Sequence, residues 1–501
     1  MYFIAHVRVR YTLILYSAMK RLLLLLSLFA VLQCQAQRPL PIMGSWINLF
    51  YQDVRNKYSN PEHLDNTSPA LWRAKVEQMH RFGIEYIVFM AVANEGLADY
   101  PSRIMPHAYS DDNESPVSAI IEEAEKHGMK VFLSIGWAEN QDENLKRPEI
   151  LNRQLAIMEE LADIYGNSKA FYGWYLPVED CLGPVLPESS VTAINRLVEK
   201  VRVLTPGKKT MISPYGFFCS DFDNPKFAEQ IRKLKVDIIA YQDEVGCVRE
   251  EYPLPRLREN WKKISEIHEN SGIELWANCE LFTWEKGTNS RSSALIPASM
   301  SRIAGQLQAA TDGGVKKIIS FMTCGIIDDG ADNFVLGQPV LSKVVADEYG
   351  KWKKGDEKYL LLEKSLSGLL KNNVYDAANP LFDNVFGDEN PNNKAWQKIP
   401  AGYKEFNVNT DKSRKLYLRF LNCGKKNITV PYKVSLSAVN ADGAKTLCSV
   451  HNVESFPNNL HDTWIDGIVL DIPENTPRVI IGIFADTTVM IDEIVVGTGI
   501  Q

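Results

Sequence analysis

The feature that most constrains the fold is a regular alternation of short apolar runs and amphipathic segments along residues 38–355. Apolar runs of this length are typical of strands buried on both faces. They predict strands at 42–50, 84–92, 129–137, 171–180, 209–215, 236–242, 273–280 and 315–323. The segments between them carry apolar residues at helical spacing. They predict helices at 68–82, 115–128, 147–165, 187–204, 224–234, 254–269, 297–311 and 339–353.

Glycines separate several of these helices from the strands that follow, at positions where a helix end favours a left-handed residue. They are Gly83, Gly128, Gly207, Gly272 and Gly313 with Gly314. Eight strand–helix units with short turns after the helices and longer loops after the strands indicate a (β/α)8 TIM barrel. A doubly wound open sheet would usually carry a phosphate-binding glycine motif after its first strand, and the sequence has none there.

The sequence changes character after residue 355. Residues 356–378 form a linker that includes a predicted helix at 359–370. From about residue 379 the chain is rich in Asn, Pro, Asp and Gly, and short alternating runs occupy 416–421, 430–439, 464–472, 479–484 and 489–496. Short alternating strands between turn residues predict an all-β sandwich of jelly-roll type over 379–501.

The N-terminus has the layout of a secretory signal peptide over residues 1–36, with translation expected to start at Met19. Basic residues precede an apolar stretch at 22–32 that is short for a bilayer span, and cleavage is expected after Ala36. Lipidation of Cys34 is the alternative. We therefore expect an exported protein, in the periplasm or at the cell surface. A net charge of -7 argues against a nucleic-acid partner.

In a barrel, the residues that follow each strand meet around one mouth. Here they are acidic, amide-bearing or aromatic, and the sequence contains no Ser-His-Asp set and no His-rich metal motif. We therefore expect neither a metal nor a cofactor. The residues predicted to bind substrate are Trp46, Asn48, Asn94, Trp137, Tyr215, Gln242, Asp243, Asn278 and Trp284.

Two glutamates follow different strands in similar settings: Glu179 after the fourth and Glu280 after the seventh. Cleavage of a glycosidic bond needs one protonated carboxylic acid and one carboxylate. These two are therefore the predicted catalytic residues, with a carbohydrate as substrate. Asp243 or Glu244 could replace Glu280, and Asp180 is expected to support Glu179. Trp174, inside the fourth strand, is expected in the core.

The run Gly-Trp-Tyr-Leu-Pro-Val-Glu that ends at Glu179 resembles an uncharacterised family of exported bacterial glycoside-hydrolase-like barrels with a C-terminal sandwich. The placement of the two glutamates resembles the large clan of retaining glycoside hydrolases. This resemblance implies that Glu179 is the acid/base and Glu280 the nucleophile. The chain departs from the clan at Val178, where the clan usually has an Asn that contacts the sugar 2-hydroxyl.

Two other functions are compatible with these residues. A glycan-binding protein could keep the barrel mouth without catalysis, and a metal-assisted hydrolase could use Asp243 and Glu244 with Asp328 and Asp329. An exposed turn is the preferred interpretation of the last two. Five cysteines follow predicted strands and have no metal-binding spacing: Cys181, Cys219, Cys247, Cys279 and Cys324. Either their positions after strands are a coincidence, or two of them form a disulfide that joins two loops.

Overall fold

The computed structural model describes residues 38–49, 68–110, 113–135, 147–248, 252–284, 295–298, 300–329, 339–355, 397–399, 401–409, 415–422, 430–455, 464–486 and 489–497. The predicted signal peptide, the possible lipid-bearing Cys34 and the predicted helix at 359–370 lie outside these ranges. Among the helices within them, none is both long enough and apolar enough to cross a membrane.

Eight parallel strands close into a barrel, as predicted. In chain order they are β1 (Ile42–Ile47), β2 (Tyr86–Phe89), β3 (Lys130–Ser134), β4 (Phe171–Tyr175), β5 (Lys209–Ile212), β6 (Ile238–Gln242), β7 (Glu274–Glu280) and β8 (Lys317–Phe321). Each strand pairs with its sequence neighbour, and β1 pairs with β8 to complete the ring. In that last pair Ser45 aligns with Ser320. The order is that of a (β/α)8 barrel.

A helix follows each barrel strand. They are α1 (Pro69–Phe82), α2 (Pro116–Lys126), α3 (Pro148–Tyr165), α4 (Glu188–Leu204), α5 (Pro225–Lys233), α6 (Leu254–His268), α7 (Met300–Asp312) and α8 (Pro339–Lys353). Local sequence sets their ends. The Ser68 side chain accepts a hydrogen bond from the backbone of Leu71 at the start of α1, and Gly83 ends this helix in the left-handed region, with φ 84°.

Burial on both faces explains the apolar runs. Val131, Phe132 and Leu133 are consecutive in β3 and all are fully buried between the barrel interior and the surrounding helices. Trp174 is also fully buried, and its indole N–H donates to the Thr205 hydroxyl over 2.8 Å. The prediction that Trp174 belongs to the core is therefore confirmed.

Some predicted boundaries differ from the observed ones at the barrel mouth. Strand β4 ends at Tyr175, so Glu179 lies in the loop beyond it rather than in the strand. Residues 295–297, partly assigned to a helix from the sequence, instead pair with Phe282–Trp284 in a short antiparallel hairpin. A second hairpin, Ala93–Asn94 with Leu97–Ala98, follows β2.

The C-terminal part contains two antiparallel sheets of four strands. One has the order β9 (Gln397–Ile399), β16 (Val489–Gly497), β11 (Lys415–Asn422) and β14 (Trp464–Asp471). The other has the order β10 (Gly402–Asn409), β15 (Arg478–Ala485), β12 (Val430–Val439) and β13 (Lys445–Ser455). Alternate residues of β12 are buried, including Val434 and Leu436. The predicted β-sandwich class is confirmed.

Asp328 does not lie in an exposed turn, and that expectation was wrong. Its side chain is fully buried, and it accepts hydrogen bonds from the Lys75 ammonium at 2.8 Å and the Gln78 amide at 2.9 Å. The same Gln78 amide donates to Asp329 at 2.7 Å. These bonds attach helix α1 to the loop after β8. Within the ranges the structure describes, no group of three or more His, Cys, Asp or Glu side chains could hold a metal ion.

Candidate active site

A cavity of about 130 Å³ lies at the C-terminal ends of the barrel strands. Strands β1, β4, β6, β7 and β8 all contribute to its wall. The described lining residues are Trp46, Met90, Tyr175, Glu179, Gln242, Cys247, Asn278, Glu280, Phe282 and Phe321. Both predicted catalytic glutamates therefore face one cavity. Its other described lining residues are neutral, so negative charge on substrate finds no cationic partner among them.

Glu179 is held by an amide from a neighbouring strand. The Gln242 side-chain N–H₂ at the end of β6 donates to Glu179 Oε1 at 2.7 Å and to the Ser213 carbonyl at 2.9 Å. The second bond orients the amide for the first. Burial raises the pKa of the Glu179 carboxyl, and the bond from Gln242 partly opposes this because it favours the ionised form.

Glu280 is the last residue of β7 and is almost fully buried. Its Oε2 accepts a hydrogen bond from the Cys247 backbone N–H at 2.8 Å. Burial, followed by the charges of Asp243 and Glu244, raises the pKa of Glu280 to about 8. In the free protein, Glu280 therefore holds a proton in most molecules at neutral pH.

Gly246 lets the backbone before Cys247 approach Glu280. A Cβ at this position would lie 2.8 Å from Glu280 Oε2 and 2.6 Å from the Phe282 carbonyl oxygen. Both distances are shorter than a non-bonded carbon–oxygen contact allows. A glycine is therefore needed here for the Cys247 N–H to reach the Glu280 carboxylate.

A buried polar frame positions the end of β7 from behind. Asp243 Oδ1 accepts from the Glu280 backbone N–H at 3.0 Å, and its Oδ2 accepts from the Gln306 amide at 2.7 Å. Gln306 also donates to the Glu280 carbonyl at 3.0 Å, as does Arg302, whose second acceptor is the Phe282 carbonyl at 2.6 Å. Helix α7 thus fixes the backbone that carries Glu280. Burial raises the pKa of Asp243, the innermost member of this frame.

Glu244 has a different setting from Glu280. Its carboxylate accepts a hydrogen bond of 3.4 Å from the Phe218 backbone N–H in the loop after β5. Burial raises the pKa of Glu244 to about 7. Neither Asp243 nor Glu244 is among the described residues that line the cavity. Between these candidates for the second carboxylate, the cavity favours Glu280.

The cavity also contains polar atoms without partners. Asn278 Nδ2 donates to the Ser213 hydroxyl at 3.1 Å, but Asn278 Oδ1 has no hydrogen-bond partner among the described residues. The indole N–H of Trp46 is likewise without one, while the ring packs edge-on against Tyr175 with centroids 4.6 Å apart. Buried polar atoms are nearly always satisfied. Two residues that line the cavity thus each carry a buried polar atom without a hydrogen-bond partner among the described residues.

The structure brings five of the predicted site residues together around one cavity. Trp46, Glu179, Gln242, Asn278 and Glu280 line the cavity. Asp243 is buried behind the cavity, and Asn48 is buried directly after β1. Asn94 lies in the hairpin after β2. Tyr215, in the loop after β5, is 40% exposed. Trp137 and the side chain of Trp284 lie outside the described part of the chain. For all eleven predicted site residues, contact with substrate stays a prediction.

Residues absent from the sequence prediction also form the site. Met90, Tyr175, Cys247, Phe282 and Phe321 complete the wall. Each stands at a strand end or a few residues past one, so position was the available signal. Asp180, the predicted support for Glu179, accepts a hydrogen bond from the Ser190 hydroxyl in the first turn of α4.

Residues 42–330 match the family model described as "Domain of unknown function (DUF4434)". The chain belongs to this family. The matched region of the DUF4434 domain begins at β1 and ends after β8, so it contains all eight barrel strands and both glutamates. No curated protein matches the sequence.

Solved structures similar to this DUF4434 protein include three that are described as glycosidases or glycoside hydrolases. A candidate alpha-L-fucosidase from Bacteroides thetaiotaomicron is 18% identical, with a TM-score of 0.51 over 64% of this chain and 95% of that one. An endo-1,4-beta-mannanase from Rhizomucor miehei is 10% identical, with a TM-score of 0.41 over 63% and 96%. A glycoside hydrolase family 5 protein from Bacteroides vulgatus is 10% identical, with a TM-score of 0.38 over 83% and 86%. At 18% identity, the similarity to the candidate fucosidase supports a shared fold and nothing about activity.

Proposed function

We propose that the protein is a glycoside hydrolase that acts on a neutral poly- or oligosaccharide through Glu179 and Glu280. The observation that carries this proposal is the presence of two carboxyl groups with raised pKa in one cavity. Hydrolysis of a glycosidic bond by the two-carboxylate route uses such a pair.

The composition of the wall favours an uncharged substrate. Two carboxyl groups face the cavity, and none of its described lining residues is Lys, Arg or His. An anionic sugar would meet repulsion there without a compensating cation. Hydroxyl groups are suited to Asn278 Oδ1, which accepts, and to the Trp46 indole, which donates. The aromatic and apolar side chains supply surface for the faces of a sugar ring.

In the proposed reaction, Glu179 donates a proton to the glycosidic oxygen while Glu280 attacks the anomeric carbon. The glycosidic bond breaks, and a bond between the sugar and Glu280 forms. A water molecule then gives its proton to Glu179 and displaces Glu280, so each carboxyl returns to its initial state. This retaining route needs a protonated Glu179 and an ionised Glu280.

Burial and the charges of Asp243 and Glu244 raise the pKa of Glu280, and burial raises the pKa of Glu179. A pKa of about 8 means that Glu280 holds a proton in most free molecules at neutral pH. The proposed reaction needs an ionised Glu280 and a protonated Glu179. Substrate binding must favour that state, and a glycosidic oxygen that accepts a hydrogen bond from Glu179 would do so.

The roles can be separated by substrates with different leaving groups. Glu179→Gln should lower the rate on a substrate with a poor leaving group by about 10²–10⁴-fold. It should have a much smaller effect on an aryl glycoside whose leaving group departs without protonation. Glu280→Gln should abolish hydrolysis of both. Glu199→Gln is the control, because Glu199 is exposed on α4, where it pairs with Lys235.

The assay also decides between catalysis and binding alone. Wild type and all three variants would be incubated with a panel of plant and host glycans and aryl glycosides, and binding would be measured by calorimetry. Binding without turnover in wild type would contradict the hydrolase proposal and indicate a glycan-binding protein. Equal activity of wild type, Glu179→Gln and Glu280→Gln would show that hydrolysis uses other residues.

A further inference from the structure

Two thiols occupy complementary positions in neighbouring loops of the barrel mouth. Cys181 lies in the loop after β4, two residues beyond Glu179, and Cys219 ends a short 3-10 helix, Phe217–Cys219, in the loop after β5. The loops are joined by the Leu182 N–H, which donates to the Tyr215 carbonyl at 2.7 Å. Cys181 itself forms a parallel bridge with Tyr215.

Each thiol packs against a glycine of the opposite loop. A Cβ on Gly183, in the first loop, would lie 2.4 Å from the Cys219 sulfur. A Cβ on Gly216, in the second loop, would lie 2.6 Å from the Cys181 sulfur. Any other residue at either position would displace a sulfur. Two glycines thus make room for two sulfurs between the same pair of loops.

The backbone holds both sulfurs in place. The Gly183 N–H donates to the Cys181 sulfur at 3.4 Å, and the Cys219 thiol donates to the Gly216 carbonyl at 3.4 Å. Cys219 is exposed and Cys181 is partly exposed, so a soluble oxidant can reach them. Cys279 and Cys324, by comparison, are buried.

We propose that Cys181 and Cys219 form a reversible disulfide that joins the loop after β4 to the loop after β5. This modification site goes beyond the proposed hydrolase activity and does not depend on it. It identifies which pair of mouth cysteines is placed to link two loops.

The chemistry is thiol–disulfide exchange with an external disulfide such as oxidised glutathione. One thiolate attacks a sulfur of the oxidant, which releases one thiol and leaves a mixed disulfide on the protein. The second cysteine displaces the remaining half as another thiol. Two protons and two electrons leave the cysteine pair, and the oxidant is reduced to two thiols.

The surroundings of Cys219 affect how fast this happens. Burial, followed by the nearby Cys181, raises the pKa of the Cys219 thiol to about 11. The thiolate is the reactive form. Exchange should therefore be faster in mildly alkaline than in neutral solution.

The test uses the full chain and does not need a substrate. The reduced protein is incubated with oxidised glutathione, its free thiols are alkylated, and it is digested with trypsin without reduction. A linked pair of peptides, 170–196 with 210–226, is expected, with a mass lower by two hydrogen atoms than the two free-thiol peptides together. The link should disappear after treatment with dithiothreitol.

Variants and stability supply the second readout. Closing a loop of about 40 residues should raise the Tm of the oxidised protein by about 3–6 °C over the reduced one. Cys181→Ser and Cys219→Ser should each abolish both the linked peptides and this shift. Cys448→Ser, which changes an exposed cysteine of the sandwich, should leave both unchanged. Complete alkylation of Cys181 and Cys219 after oxidation, or a link that survives in either single variant, would overturn the proposal.

Discussion

Gly246 offers a direct test of how the structure positions Glu280. In Gly246→Ala the new methyl group would lie 2.8 Å from Glu280 Oε2, 2.6 Å from the Phe282 carbonyl oxygen and 3.1 Å from Glu280 Cβ. Two of the three obstacles belong to Glu280. Gly246 does not have a positive φ, so alanine brings no backbone strain and the effect comes from space alone.

The size of the effect follows from what can move. The Phe282 carbonyl is held by Arg302 at 2.6 Å, and the Glu280 backbone is held by Asp243 at 3.0 Å, so neither yields easily. We therefore expect the 245–248 turn to shift and the Cys247 N–H to lose its bond to Glu280. Overpacking of this kind costs about 1–3 kcal/mol of stability. A displacement of about 1 Å at a catalytic group costs about 10²-fold in rate.

The assay combines thermal unfolding with kcat/KM on a glycoside that the wild type cleaves. Gly350→Ala is the matched control, because Gly350 lies in α8 and a Cβ there meets nothing within 4 Å. That change should be neutral or stabilise the helix by up to about 1 kcal/mol. If Gly246→Ala has the same Tm and kcat/KM as wild type, Gly246 does not lie as close to Glu280 as described. A lower Tm with unchanged kcat/KM would show that Glu280 does not need this support.

Three further predictions follow from the buried charges. The pH profile of kcat/KM should have a limb near pH 8, where Glu280 titrates, and the absence of any limb near this pH would contradict the raised pKa of Glu280. Because this pKa is higher in the folded than in the unfolded protein, stability should fall as pH rises from about 4.5 to about 8. Glu280→Gln should reduce the change of Tm over that range, whereas Glu199→Gln should leave it intact. An unaltered slope in Glu280→Gln would count against burial of the charge. Lys75→Met should lower the free energy of unfolding in urea by about 3–5 kcal/mol because it leaves Asp328 buried without its cation. Lys75→Met with Asp328→Leu should recover much of this loss, and a single variant as stable as wild type would refute the buried ion pair.

The barrel could be predicted because its signals are local. Strands such as β3 are buried on both faces and therefore apolar throughout, and Gly83 is needed where a helix ends in a left-handed turn. The placement of Glu179 and Glu280 at one cavity could be predicted because the ends of barrel strands meet at one mouth. Strand ends are visible in the sequence even when their boundaries are wrong by several residues, as at β4.

The parts that escaped prediction depend on partners distant in sequence. Asp328 and Asp329 have the composition of an exposed turn, and only the position of Lys75 on α1, 253 residues away, shows that Asp328 is buried. Gln306 reaches Asp243 across 63 residues, and nothing in the local sequence of α7 indicates it. The strands missed in the sandwich, β9, β10 and β13, are all edge strands of their sheets, where polar side chains weaken the alternating pattern.

The two glutamates are supported in different ways, and the difference suits their proposed roles. Glu280 ends a barrel strand and is held by the Cys247 N–H, with Asp243 and α7 behind it. Glu179 lies in a loop beyond β4, and its carboxylate accepts a hydrogen bond from Gln242. A nucleophile needs a fixed line of approach to one carbon, whereas a proton donor must follow an oxygen that moves as its bond breaks.

This asymmetry decides where the proposed disulfide would act. Cys181 belongs to the loop that carries Glu179, and the backbone beside Cys219 bonds to Glu244 rather than to the frame of Glu280. Oxidation should therefore restrict the proton donor and leave the position of the nucleophile unchanged. The step that depends on protonation of the leaving group should respond to the redox state, so oxidised and reduced protein should differ more on poor than on good leaving groups. An equal response on both would place the effect of the disulfide outside the Glu179 loop.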